Sequence, residues 1–340
     1  MKTSLNYLHK FGFGMYLVFV FSTFSCDKSS DKETGTLPYK NPALSIDERV
    51  EDLLGRMTIE EKTAQTMSVA AGLFTENGII DTTKAIGFFK GGIGQVRDYF
   101  HADEQESVHI HNWIQRYLIE NTRLGIPAII HGEGLHGYVN NHATSFPQAI
   151  SIASTWNLDL VDSIYTVIAR EARSRGVQQL LSPVVDVVRD PRWGRYSESF
   201  GEDPYLTGEI TVRAVKSLQG DTLASNHHVI GTLKHFPGHG STLGGLNCAP
   251  LLATERELHE IFLYPFKQAV QRASAGSVMA SYGEYDGIPT HTNSYLLRDV
   301  LRKQWGFEGF VVSDYFALKL LTQGWQWEFY RHFVAEDTIQ

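Results

Sequence analysis

Cysteine is almost missing from this chain: 340 residues carry two, Cys26 and Cys248. No disulfide framework can therefore organise the fold, and Cys248 reads as a packed thiol rather than a nucleophile. Positive charge is also in short supply. Thirty Lys and Arg face 38 Asp and Glu, a formal charge of -8, which argues against a general nucleic-acid or anionic-membrane binder. Low-complexity tracts and internal repeats at solenoid or propeller periods are absent. No glycine-rich fingerprint opens a helix after the first strand, which counts against a dinucleotide-binding fold.

Long apolar runs are missing too. The longest, residues 11–24 after Lys2, His9 and Lys10, is too short to span a membrane but suits the core of a signal peptide. It ends at Thr23-Phe24-Ser25-Cys26, which resembles a bacterial lipobox. The expectation is a leader over 1–25, lipidation at Cys26 and a polar tether over 26–43. The protein would then be exported to the periplasm or outer membrane of a bacterium, meeting the membrane only through its lipid anchor. A plain secretory signal with an incidental cysteine is the alternative.

What is present is an ordinary globular composition, 42% hydrophobic and 20% charged, enough for one large domain. Ser45 with Glu48, and Thr58 with Glu61, have capping-box spacing before amphipathic runs. Short apolar runs then alternate with helical patterns. Strands are expected over 93–96, 128–130, 180–188, 229–233, 277–280 and 310–312. Helices are expected over 104–122, 159–175, 204–219, 255–272 and 294–305. Such alternation implies a parallel α/β sheet.

Polar clusters follow several of these strands: His131-Gly-Glu133, Lys234-His235, Tyr282 and Ser313-Asp314. Side chains gathered at the carboxyl ends of strands favour a closed (β/α)8 TIM-like barrel over an open doubly wound sheet. The loop from Arg189 to Tyr205 combines arginines with aromatics, a pairing suited to a polyhydroxyl ligand. Within it Asp190 and Glu202, with Asp186 just before, read as framework holding the arginines. Lys234 and His235 are adjacent, so both reach one ligand only if the backbone is distorted there. His131, Glu133 and His136, with His227, His228, His235 and His239, superficially look like metal ligands. His131 and His136 are five apart in a glycine-broken segment, unlike the i, i+4 helical face of a zinc protease, and no metal or other cofactor is expected.

Four motifs occur together and in order: His131-Gly-Glu-Gly-Leu-His-Gly137, Asp190-Pro-Arg-Trp-Gly-Arg195, Lys234-His-Phe-Pro-Gly-His-Gly240 and Gly309-Phe-Val-Val-Ser-Asp314. In this combination the chain, over roughly residues 44–340, resembles glycoside hydrolase family 3. The resemblance implies an N-terminal barrel domain, with an α/β sandwich following in many members. It implies Asp314 as the catalytic nucleophile and Glu133, Arg195, Lys234, His235 and Tyr282 as residues that hold the terminal sugar. The implied activity is exo-acting, retaining hydrolysis of terminal β-D-glucosyl or β-D-xylosyl residues through a covalent glycosyl-aspartate, with an oligosaccharide or β-glycoside as partner. Many β-glucosidases of the family have Asp where Glu133 stands, and the longer side chain leans towards a pentose.

A retaining glycosidase pairs its nucleophile with a second carboxyl group ~5–5.5 Å away. Lys234, Arg195 and His235 are expected to lower the pKa of Asp314 and keep it ionised. The acid/base is expected beyond residue 340, in a sandwich domain this chain does not contain. The single-domain N-acetylglucosaminidases of the family instead use an Asp-x-His pair after the Lys-His loop. Residues 241–250 hold neither Asp nor His, which argues against that branch. An inactive or sugar-binding fragment is the remaining alternative.

Overall fold

The computed structural model describes residues 37–322. The expected leader, Cys26 and the start of the tether lie outside the described residues. Two compact units share the chain, one up to Arg56 and one from Met57.

In the first unit, a 3-10 turn (Pro38–Lys40) precedes an α-helix, Ile46–Arg56. The helix start is capped as its spacing implies. The Glu48 N–H donates to Ser45 Oγ at 3.3 Å, and the Ser45 N–H donates to Glu48 Oε2 at 2.9 Å. Asp52 ties the turn to the helix by accepting from the Tyr39 N–H at 3.1 Å.

The second unit opens on the helix Ile59–Gln65, closed by the Thr58–Glu61 capping box. Its sheet has seven strands: β1 (Ser68–Ala70), β2 (Gln95–Arg97), β3 (Ile129–Gly132), β4 (Gln179–Leu180), β5 (Ile230–Phe236), β6 (Ser277–Ala280) and β7 (Phe310–Ser313). They pair in chain order and every neighbouring pair is parallel. Helices of 8 to 18 residues, Thr82–Phe89, Glu104–Asn121, Leu158–Ser174 and Pro204–Gln219, fall between successive strands. Parallel strands need such crossovers, and helices on the outer face bury the strands on both sides.

The sheet is strongly curled. In a flat sheet β2 and β7 would stand five spacings apart, about 24 Å. Yet the Arg97 guanidinium, at the end of β2, lies 5.4 Å from the ring of Tyr315, just past β7. Wrapping the sheet on itself is what brings the strand ends together, and it gives the domain its TIM-like barrel character. Seven strands pair among the described residues, where an eight-stranded barrel was expected, and β1 and β7 do not pair with each other there. The core between sheet and helices includes Val96, Ile110, Ile114, Leu118, Ile130 and Ile168, all fully buried. Each such side chain contributes about 1.5–3 kcal/mol by leaving water.

Three expected elements come out differently, the 294–305 helix among them, which is π-helical over Tyr295–Gln304. The 180–188 strand ladders only at Gln179–Leu180, with one further bridge between Val184 and Lys234. Pro183 interrupts it, because proline has no N–H to give a ladder. The 255–272 helix divides into Glu255–Glu257, a π-helical turn Leu258–Phe262 and Tyr264–Ala273. Pro265 sits where an N–H would otherwise continue the earlier turn. The strand β1 was not legible, being three residues long with one β-branched residue.

Candidate active site

Five of the six expected site residues sit at or just beyond the carboxyl end of a strand. Glu133 follows β3, Lys234 and His235 lie in β5, Tyr282 follows β6 and Asp314 follows β7. Arg195 comes from the long loop after β4. The geometry brings all six together. The Lys234–His235 peptide is cis, and the β5–β6 register shifts between Leu233 and Phe236. With the backbone irregular there, both side chains reach the site, as the adjacency required.

Glu133 is held at both oxygens. Lys234 Nζ lies 2.8 Å from Oε2, and the Tyr315 hydroxyl donates to Oε1 at 3.3 Å. Tyr315 in turn is fixed by the Tyr282 hydroxyl, which donates to its carbonyl at 2.9 Å. Arg195 grips Glu198 through Nε and Nη2 at 2.9 and 2.8 Å, a bidentate pairing that sets the plane of the guanidinium. The same guanidinium approaches His235 Nε2 at 3.1 Å and His239 Nε2 at 3.3 Å.

Asp314 is buried, with 5% of its surface exposed. Its Oδ1 accepts the Tyr315 N–H at 2.7 Å, and its Oδ2 faces His235 Nε2 at 3.6 Å. Burial raises its pKa above the usual carboxylate value, against the pull of Lys234, the Tyr315 N–H, Arg195 and the neighbouring Tyr282 hydroxyl. The expectation that cations leave Asp314 with a lowered pKa is therefore corrected: they offset burial without overcoming it. His235 is no cation here either. Burial, then Arg195, push its pKa well below the ordinary imidazole value, and His239 behaves alike. His131 is pushed down to about 4, chiefly by burial and next by Arg97.

Two further readings of the loop change. Asp190 does hold an arginine, reaching Arg192 at 2.6 Å. Asp186 holds His235 instead, taking its backbone N–H at 3.0 Å and Nδ1 at 2.8 Å. Trp193 is buried and stands edge-on to His239, with the Arg195 guanidinium 5.7 Å over its ring. It backs the cation rather than offering a platform to a sugar.

Tyr315, Glu198, His239 and Arg97 were missed as site residues. Glu198 was discoverable from its i, i+3 spacing to Arg195. Tyr315 adjoins Asp314, but only the curl of the sheet shows that it reaches Glu133. Among the described residues no group of three or more His, Cys, Asp or Glu is placed to hold a metal ion.

Residues 58–329 match the glycosyl hydrolase family 3 N terminal domain. The chain belongs to this family. It is 41% identical over 298 residues to a putative β-xylosidase of Formosa agariphila, covering 86% of this chain and 39% of that protein. A periplasmic β-glucosidase of Salmonella typhimurium is 35% identical over 273 residues, covering 80% of this chain and 34% of its own length. Among solved structures, a β-glucosidase from Erythrobacter marinus superposes with a TM-score of 0.78 at 36% identity, covering 84% of this chain and 38% of that one. A β-glucosidase from Listeria innocua in complex with isofagomine gives 0.71 at 31% identity, covering 86% of this chain and 39% of that one. The chain thus spans well under half the length of these relatives.

Proposed function

We propose that this family 3 domain serves a retaining, exo-acting β-glycosidase that removes terminal β-D-glucosyl or β-D-xylosyl residues. The observation that carries the reading is Asp314. It is a buried carboxylate at a strand end, with Lys234, Arg195 and Tyr282 acting on its charge. In the first step an Asp314 oxygen bonds to the anomeric carbon as the glycosidic C–O bond breaks. The leaving oxygen takes a proton from an acid, and water then releases the sugar from the aspartyl ester. Glu133, Lys234, Arg195 and Tyr282 bind the hydroxyls. The carboxylates around Asp314 are engaged, Glu133 with Lys234, Glu198 with Arg195 and Asp186 with His235. The relatives bear names of both β-xylosidases and β-glucosidases. The length of Glu133 and its engagement with Tyr315 favour a pentose.

A 2,4-dinitrophenyl 2-deoxy-2-fluoro-β-glycoside tests this on the chain itself, because that leaving group needs no protonation. Peptide mapping is expected to find the label on Asp314, with the xyloside faster than the glucoside. A label on another acid refutes the nucleophile, and a faster glucoside refutes the pentose preference. We also propose that the protein is exported and lipid-anchored at Cys26, on the sequence pattern alone.

A further inference from the structure

The side chains behind Arg195 form a chain of hydrogen-bonding groups whose proton positions follow from donor and acceptor chemistry. Arginine has five N–H donors and no acceptor. His235 Nε2, 3.1 Å from Arg195 Nη2, must therefore accept. A neutral His235 then carries its proton on Nδ1, which faces Asp186 Oδ2 at 2.8 Å. The same oxygen takes the His235 backbone N–H at 3.0 Å, so it is an acceptor twice over. His239 Nε2, 3.3 Å from Arg195 Nη1, must accept likewise. Counting the guanidinium donors, Nε and one Nη2 hydrogen go to Glu198, the other Nη2 hydrogen to His235 and one Nη1 hydrogen to His239. One Nη1 hydrogen is left without a partner among the described residues.

We infer that Asp186 is a positioning residue: it fixes the Nδ1–H tautomer of His235, and so aims the one uncommitted N–H of Arg195 at the substrate sugar. Asp186 is 1% exposed and meets His235 through both the backbone N–H and Nδ1. The direction of donation runs from Arg195 to His235 and from His235 to Asp186. With the opposite tautomer, Nε2–H would point at an arginine N–H, two donors would oppose each other, and the guanidinium would turn. The comparable aspartate of a serine protease triad sets its histidine tautomer in the same manner. The link to a sugar rests on the glycosidase reading; the tautomer does not.

Nitrogen-15 NMR of the histidine-labelled 340-residue protein reads the tautomer directly, with the His235 signals identified by their loss in His235→Gln. Wild type is expected to show Nδ1–H and a bare Nε2 at neutral pH. An Nε2–H or doubly protonated ring overturns the inference with no variant needed. In Asp186→Leu no acceptor faces Nδ1, and a shift towards Nε2–H is expected; an unchanged tautomer in the folded variant overturns the inference. If the variant does not fold, the wild-type spectrum decides. Calorimetry with isofagomine supplies the second arm, with binding about tenfold weaker in Asp186→Leu. Equal affinity in both proteins overturns the positioning role. Absence of binding even to wild type, with the tautomer as stated, counts against the glycosidase reading instead.

Discussion

Replacing Lys234 by Met tests the site electrostatics most directly. Lys234 Nζ lies 2.8 Å from Glu133 Oε2, with 4% of the Lys234 side chain and 19% of the Glu133 side chain exposed. Breaking a buried ion pair from one side costs about 3–5 kcal/mol, because the surviving charge stays behind without its partner. Glu133 keeps the Tyr315 hydroxyl and some water, so the low end, about 3 kcal/mol, is expected. Lys234→Met with Glu133→Gln removes both charges and should recover at least about 1 kcal/mol of that loss. Urea unfolding of the three variants and wild type gives the cycle. Lys234 is also the largest of the forces opposing burial at Asp314. Its loss should raise the Asp314 pKa further and move the acid limb of fluoroglycoside labelling to higher pH. A Lys234→Met protein within about 0.5 kcal/mol of wild type would refute the reasoning, as would a double variant no more stable than the single one.

Asp314→Asn should fold normally and still bind isofagomine while losing fluoroglycoside labelling by several orders of magnitude; residual labelling within tenfold of wild type would assign the nucleophile elsewhere. Because His131, His235 and His239 are held below the ordinary imidazole value, their contribution to stability is present above about pH 6.5 and is lost as pH falls through and below that value. Asp186, raised to about 7 by burial, works in the opposite sense, favouring the fold at low pH and less so as pH rises towards 7. Thermal unfolding across pH 4 to 8 should therefore show a steeper acid loss in Asp186→Asn than in wild type, and a shallower one in His131→Asn. Parallel profiles would show that these groups do not titrate as the structure implies. Cys26→Ala should release the protein from membranes or block its processing, and equal membrane retention would contradict the lipid anchor.

Much of the site was written in the sequence because its residues stand at strand ends. Asp314 closes an apolar run, Lys234 and His235 close another, and Glu133 follows a third, so a parallel-strand reading alone placed them at one mouth of a barrel. The helix starts at Ser45 and Thr58 were equally legible, since a cap is a contact over three residues. What the sequence could not supply was distance across the sheet. Tyr315 reaches Glu133, 182 residues away in the chain, only because the sheet curls. The charge states also required the folded molecule. Lys234, Arg195 and His235 read together as cations that lower the Asp314 pKa, but burial neutralises His235 and raises Asp314. Residue types and spacing determine which groups meet; desolvation, a property of the packed tertiary structure, decides which of them carry charge.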